Sequence, residues 1–433
     1  MSTDAVAIIG FVSLFTLMML RVPVGIAMGT VGVLGFGYLI GDLSPALRLL
    51  AQSPIRTATE AEFAVIPLFL LMGAFASASG MSRELFRASN TFLGHLRGGL
   101  GVATIAACGG FAAICGSSVA TAATFSRVAY PEMRAHGYPQ SFATGVIAAG
   151  GSLGIMIPPS TVFAVYGLIT EQDIGKLFIA GILPGLLAVA MYMSTITIIS
   201  LVAPKYLPKT PKHTWAERVA ALRDIWAVVL LFIFIIGGLY AGMFTATEAA
   251  GMGAAGALII SLARRKLTRV DFWRCLVESL RTTASVFTIL IGALLFGYFL
   301  TITQTPQKLT ALLTGFGLGP YGALILIMLM YLVLGCIMDA MAMIILTIPI
   351  VFPVVKALGF DPIWFGVVIV MTVELGLIHP PVGMNVFVIK SVVTDVKLST
   401  IFKGVLPFVV TDIIRLAILI AFPVIALWLP SHM

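Results

Sequence analysis

Two segments of this chain carry nearly the same interruption: Leu153 to Pro159 reads LGIMIPP and Leu375 to Pro381 reads LGLIHPP, each inside a long apolar stretch. The spacing is kept elsewhere, since Pro131 matches Pro353, Gly137 matches Gly359, Tyr138 matches Phe360 and Gly154 matches Gly376. After a slip of one residue, Gly181, Leu183 and Pro184 match Gly404, Leu406 and Pro407. The chain therefore reads as two repeated halves. A double proline supplies no N–H and pushes the residue before it out of helical geometry. In hydrocarbon such a break survives only where protein or a wet cavity surrounds it. Gly/Pro interruptions at corresponding places in two halves point to the binding site of a secondary transporter.

The surroundings are those of a membrane protein. The chain is 60% hydrophobic and 10% charged, far below the roughly 25% charged residues of a soluble domain, and its mean hydropathy is +1.09. Val6 to Leu20, Val22 to Ile40, Ile225 to Met243, Val286 to Thr301, Leu324 to Met338, Trp364 to Ile378 and Val405 to Leu427 are apolar runs, several near the roughly 20 residues needed to cross a bilayer. The opening MSTD has no basic region and no A-x-A site follows, so the first run reads as a retained span. The net charge of +8 would suit nucleic acid, but the basic residues sit in short loops, and no nucleic-acid partner is expected. Cys108, Cys115, Cys275 and Cys336 have no C-x-x-C spacing, which argues for packing rather than a disulfide framework or zinc.

Basic residues of short loops stay cytoplasmic. The densest groups, Lys205, Lys209, Lys212, Arg218 and Arg223, then Arg264, Arg265, Lys266, Arg269, Arg274 and Arg281, are therefore placed inside. Working backward puts Arg127, Arg134, Arg83, Arg87, Arg97 and Arg21 inside, the loop Asp42 to Glu62 outside, and the amino terminus outside. Residues 100 to 130 must leave and regain the inner side, as a re-entrant hairpin tipped by Gly116, Ser117 and Ser118. The first half then crosses an odd number of times, so the second is inverted. Its hairpin, 318 to 352, is tipped by Met338 and Asp339. The expected architecture is an all-α polytopic membrane protein of two inverted repeats. Residues 1–203 form the first, with hairpin 100–130 and broken helix 142–169. Residues 225–433 form the second, with hairpin 318–352 and broken helix 364–389. Residues 204–224 form a cytoplasmic linker in which Trp215 to Asp224 is amphipathic.

Hard cations such as sodium take oxygen ligands, and unwound carbonyls with half-helix C-termini present them in transporters. Candidates in the first half are Gly150, Ser152, Gly154 and Pro158, met by Gly116, Ser117 and Ser118. In the second half Met338, Asp339, Thr372, Gly376 and Pro380 occupy corresponding places. Asp339 aligns with Ser117 and Glu374 with Ser152, so the second half carries acids where the first carries hydroxyls. Acids in apolar segments cost a few kcal/mol and mark function by default; helix capping is the alternative role for Asp339, and capping of a half-helix or structural pairing for Glu374. His379 reads as packing or backbone hydrogen bonding rather than a proton carrier. Asp412 and Arg415, three apart, suit a structural ion pair. A substrate fits between the tips and the segments after the prolines, at Ser118, Ser160, Thr161, Gly383 and Asn385. The half-helix N-termini there favour an anion, and no Arg or Lys lies in either broken segment.

IPLFLLMG at Ile66 to Gly73, GSSVATAAT at Gly116 to Thr124, GSLGIMIPPS at Gly151 to Ser160, AGILPG at Ala180 to Gly185 and HPPVGMN at His379 to Asn385 follow in an order that, over essentially the whole chain, resembles the large membrane subunit of tripartite ATP-independent periplasmic (TRAP) transporters, the DctM type. The resemblance implies an elevator-type secondary transporter in the bacterial inner membrane, driven by a sodium gradient. It also implies carboxylate-bearing substrates delivered by a periplasmic binding protein, and a small four-helix membrane partner on a separate polypeptide. It assigns Ser117, Ser118 and the Gly150 to Pro158 segment to one Na+ site, and Asp339, Thr372 and Gly376 to another. Ala340 opposite Ser118 breaks the symmetry.

Rival readings remain at this level. An ion-coupled carboxylate or arsenite exporter acting without a binding protein would share hairpins and repeats, and a channel would share the apolar spans. Gly150, Ser152 and Gly154 also fit G-x-S-x-G, with His379 as a partner in an intramembrane serine hydrolase, but that motif needs a strand-to-helix turn.

Overall fold

In the computed structural model the apolar runs become helices, and the breaks between them fall where backbone chemistry requires. The structure describes residues 2–204, 206–208, 210–315, 317, 319–335, 338–381 and 383–433, so Lys205, Lys209, Cys336 and the first residue expected in the second hairpin lie outside the described residues. The first half runs α1 (Thr3–Met19), α2 (Val24–Ile40), α3 (Ser44–Thr59), α4 (Val65–Ala78), α5 (Met81–Leu93), α6 (Gly99–Cys115), α7 (Ser118–Ala135), α8 (Gln140–Met156), α9 (Thr161–Thr170) and α10 (Ile174–Val202). A short helix, α11 (Trp215–Asp224), follows. It is started by a capping box in which Thr214 and Glu217 satisfy each other's backbone N–H groups. The second half runs α12 (Trp226–Tyr240), α13 (Ala246–Ala263), α14 (Arg269–Thr303), α15 (Thr305–Gly315), α16 (Gly319–Gly335), α17 (Ala340–Ala357), α18 (Pro362–Ile378), α19 (Met384–Val392), α20 (Leu398–Ala421) and α21 (Val424–Leu427).

The repeat is exact where it matters. Both ends of α17 lie 222 residues after those of α7, and both ends of α18 lie 222 after those of α8. The connection between α6 and α7 is Gly116 and Ser117, and these two helices pack on each other, as do α16 and α17. Seven helices among the described residues are long and apolar enough to cross a bilayer, eight if the bent pair α11 and α12 is one span. The hairpin arms α6 and α16 and the half-span α18 have only 17 residues each, about 25 Å of helix against about 30 Å of hydrocarbon. Ile8, Leu34, Ile198, Ile233, Ile259 and Ile413 face outward on their helices, whereas α18 is buried from Trp364 to its end at Ile378. Apolar side chains on the outside and polar atoms inside are what a lipid solvent selects.

Three segments differ from the sequence expectation. The outer loop expected at Asp42 to Glu62 is mostly α3, which starts with Pro45 in its first turn, the position where a missing N–H costs nothing. The stretch at Arg83 and Arg87, expected as an inner loop, is the amphipathic α5, which buries Met81, Leu85, Phe86 and Ala88. The third is α14, 35 residues long, which carries Arg269, Arg274 and Arg281 in one helix with the apolar run that follows. Thr268 caps it by accepting from the Asp271 N–H at 3.1 Å, and no Gly or Pro interrupts it before Gly292.

Close crossings hold the bundle. A methyl group built on Gly292 of α14 would lie 2.0 Å from the Gly25 carbonyl oxygen of α2, and one on Gly404 of α20 would lie 1.8 Å from the Ser141 carbonyl oxygen of α8. Small residues at such crossings let backbones touch in the absence of a hydrophobic drive between helices. Gly404→Val is expected to destabilise the protein by more than the ~1–3 kcal/mol of ordinary overpacking, seen as a lower thermal unfolding temperature in detergent. Gly297→Ala, with nothing within 4 Å of the added carbon, should leave that temperature unchanged or slightly raised. Equal behaviour of the two variants would remove the crossing argument.

Candidate functional site

Both proline pairs interrupt their helices. α8 stops at Met156 and α18 at Ile378, and the next residues, Ile157 (φ −80°, ψ 123°) and His379 (φ −76°, ψ 138°), are extended. The bonds Pro158–Pro159 and Pro380–Pro381 are both cis. In a continuous helix the N–H four residues on would bond the carbonyls of Gly154 and Gly376. Those positions are Pro158 and Pro380, which have no N–H. The Ile155 carbonyl is satisfied instead by the Ser160 hydroxyl at 2.6 Å, and Ser160 also caps α9 by accepting from the Phe163 N–H.

The first hairpin tip rests on this break. A Cβ on Gly154 would fall 2.5 Å from the Ser117 carbonyl oxygen, and one on Gly116 would fall 2.6 Å from the Pro159 carbonyl oxygen. Only glycine permits that contact, and Gly116 is also left-handed, at φ 62°. The Thr161 hydroxyl donates to the Gly116 carbonyl at 3.0 Å. Ser117 caps α7 by accepting from the Ala120 N–H at 3.3 Å. The Ser118 hydroxyl donates to Asn385 Oδ1 at 2.9 Å, and Asn385 Nδ2 donates onward to the Ala148 carbonyl at 3.3 Å. The tip of one half is thus tied to the half-helix α19 of the other.

The second tip is built alike. Asp339, aligned with Ser117, caps α17 by accepting from the Met341 N–H at 2.8 Å. Met338 is buried, with its N–H on the Leu334 carbonyl. Gly335 and Gly376 meet backbone to backbone, which brings the arm α16 onto the end of α18. Gly383, at φ 59°, begins α19 directly after the break. His379 Nδ1 is hydrogen-bonded to the Pro380 carbonyl. The Asp339 carboxylate therefore performs the capping role weighed for it while also lining the cavity described next.

A cavity of about 670 Å³ lies against both tips, lined by Ser117, Ser118, Thr161, Asp339, Met341 and Met384. Its far wall comes from α4 and α14, including Asp271, Arg274, Glu278 and Thr282, and Arg127 of α7 also lines it. Of the residues predicted for ions and substrate, Gly116, Ser117, Ser118, Gly154, Pro158, Ser160, Thr161 and Asn385 come together around the first break. At the second, Gly376 meets Gly335 at the end of the arm that leads to Met338 and Asp339, Asp339 lines the cavity with Leu377, and Gly383 starts α19 after Pro380 and Pro381. The side chains of Ser152 and Thr372 face elsewhere: the Thr372 hydroxyl donates to the Val368 carbonyl at 2.8 Å and lies 2.9 Å from Met328 Sδ, and the α-carbon of Gly150 packs against Cys108. The α14 wall and Arg127 were missed from sequence because their charges read as loop residues. Their three- and four-residue spacing was the signal.

Ser152 belongs to a second polar group at the meeting of the halves. Its hydroxyl lies 2.9 Å from Glu374 Oε1, its counterpart 222 residues on, and 3.3 Å from the Tyr192 hydroxyl. Arg415 Nη2 donates to Glu374 Oε2 at 2.8 Å and to Asp412 Oδ1 at 2.9 Å, and Tyr192 donates to Asp412 at 2.7 Å. Glu374, Asp412 and Arg415 are 0% exposed. The expected Asp412 and Arg415 pair is present and is extended by Glu374. With its hydroxyl engaged here and His379 turned to backbone, Ser152 has no arrangement for hydrolysis. Equivalent residues that touch each other are what a twofold axis between the halves produces.

The sequence profile for "Tripartite ATP-independent periplasmic transporter, DctM component" matches residues 11–425. The C4-dicarboxylate TRAP transporter large permease protein DctM of Pseudomonas aeruginosa is 39% identical over 387 residues, 89% of this chain and 90% of that protein. The sialic acid TRAP transporter large permease protein SiaM of Vibrio cholerae is 32% identical over 411 residues, 94% and 95% of the two chains. In fold, the chain is similar to the Alcanivorax borkumensis YdaH transporter, with a TM-score of 0.59 at 15% identity over 90% of each chain. These relatives are transport proteins rather than enzymes. The chain belongs to the DctM family of TRAP transporter large permeases.

Arg415→Met leaves Glu374 and Asp412 buried without their cation and is expected to cost about 3–5 kcal/mol, read as early thermal unfolding. Adding Glu374→Gln should recover part of that loss. Wild-type melting of Arg415→Met would mean that the network does not tie the halves together.

Proposed function

We propose that this TRAP large permease is a sodium-driven importer of small organic anions in a bacterial inner membrane, with its amino terminus on the periplasmic side. The observation that carries the proposal is the pairing of each hairpin tip with a break whose glycine carbonyl, Gly154 or Gly376, has lost its helical donor to a proline. A sodium ion would sit at each pairing. Gly116, Ser117, Gly154 and Pro158 would frame the first site, and Met338, Asp339, Gly376 and Pro380 the second. The substrate's acid group would lie at the N-termini of α9 and α19, against Ser118, Thr161 and Asn385, where the positive ends of the helix dipoles favour negative charge. The bound cations would supply the positive charge that the broken segments lack.

Names of relatives support a carboxylate-bearing cargo, since one is described as a C4-dicarboxylate permease and another as a sialic acid permease. The family description, a tripartite periplasmic transporter of which this is one component, supports two partners; these would be a small four-helix membrane subunit and a periplasmic binding protein that delivers the substrate. Transport would be by an elevator motion. The tips and broken helices pack among themselves, α7 with α8 and α19, α17 with α9 and α18, and would move as one body. The close crossing of α2 and α14, with α4 packed on α14, would be the fixed body. The cavity lies between the two.

Ser117→Ala and Asp339→Ala should each raise the sodium concentration giving half-maximal uptake, by about tenfold for the loss of one charge-assisted contact, in proteoliposomes that also hold the two partners. An unchanged sodium response in both variants overturns the ion sites. Uptake without any binding protein would favour the exporter-like rival. A flexible cross-link between cysteines introduced at Ala120 and Thr282, on opposite walls of the cavity, should stop uptake until cleaved. Full activity of the linked protein would exclude an elevator.

A further inference from the structure

Two helical stripes lead away from the hairpin tip along the cavity. On α7, Ser117, Ala120, Thr124 and Arg127 recur every three or four residues and therefore share one face. On α14, Asp271, Arg274, Glu278 and Thr282 do the same. Arg127 lies about 13 Å along the helix from Ser118, at 1.5 Å per residue. It is exposed at the end of its stripe.

The two walls differ in charge. On α14, Arg274 Nη1 lies 3.2 Å from Asp271 Oδ1, and Glu278 adds a second carboxylate. That wall carries one more negative charge than positive and has its cation engaged. On α7, Arg127 is the charged residue of the stripe, and among the described residues no carboxylate lies within 4.0 Å of it. An anion leaving the tip is therefore repelled by one wall and drawn along the other.

We propose that Arg127 is an exit site for the carboxylate of the transported anion, reached after it leaves Ser118 and Thr161 and before it enters the cytoplasm. The guanidinium fork matches a carboxylate with two parallel hydrogen bonds. Its exposure keeps the attraction weak, which a station on a conducting path requires, since it must capture and then let go. Arg127 thus sets the rate of release and selects for negative charge, while the hairpin tips set sodium dependence. This inference rests on the anion-import reading above.

The test is uptake of succinate by the complete complex in proteoliposomes, comparing wild type with Arg127→Lys, Arg127→Gln and Arg127→Glu. Maximal uptake should fall about threefold in Arg127→Gln and further in Arg127→Glu, with the half-maximal sodium concentration unchanged, while Arg127→Lys keeps most of the rate. Raising ionic strength should slow wild type toward Arg127→Gln and leave Arg127→Gln itself little affected. Wild-type rates in Arg127→Gln, or equal losses in Arg127→Gln and Arg127→Lys, overturn the exit site. A wild-type complex that takes up neither succinate nor sialic acid overturns the import reading on which it rests.

Discussion

In hydrocarbon an unsatisfied backbone carbonyl costs several kcal/mol, because no water is present to bond it. Pro158 and Pro380 impose that cost at Gly154 and Gly376, and much of the structure answers to it. Glycines at 116, 154, 335 and 376 let two hairpins approach the breaks to backbone contact. Side-chain oxygens from Ser160 and Thr161 meet the donors and acceptors left nearby. What remains is a pair of breaks closed by hairpin tips, the places where the sodium ions proposed above would find backbone oxygens.

The halves are bound through their own counterparts. Ser152 meets Glu374, and around them Tyr192, Asp412 and Arg415 form a fully buried group with two acids and one base. Such a group adds little net stability compared with an apolar filling, yet it penalises any arrangement that separates its members. It therefore acts on register more than on depth of the energy well. The α8 and α18 helices that carry Ser152 and Glu374 also end at the two breaks, so the same contact that aligns the halves aligns the breaks.

The fold was largely legible because helix breaks, repeats and loop charges are written in residue types. The hairpin tip at Gly116 and Ser117 and the second tip at Met338 and Asp339 follow from charge placement and alignment alone. The direction in which a buried side chain faces is not so written. Ser152 and Thr372 share helices with Gly154 and Gly376 but face Glu374 and Met328 instead. Helical phase distinguishes them, yet in segments apolar on every side the phase has no polar stripe to mark it. The reverse error hid α14, where a dense run of arginines obscured a regular polar face.

The central contact between Ser152 and Glu374 bears on the ancestry of the molecule. Were two copies of the carboxyl-terminal unit to associate across the same axis, Glu374 would confront its own twin, two acids forced together without solvent. Two copies of the amino-terminal unit would bring only hydroxyls there, with no Glu374, Asp412 or Arg415 to build the ion network. The difference at this one pair thus makes each unit the complement of the other and not of itself.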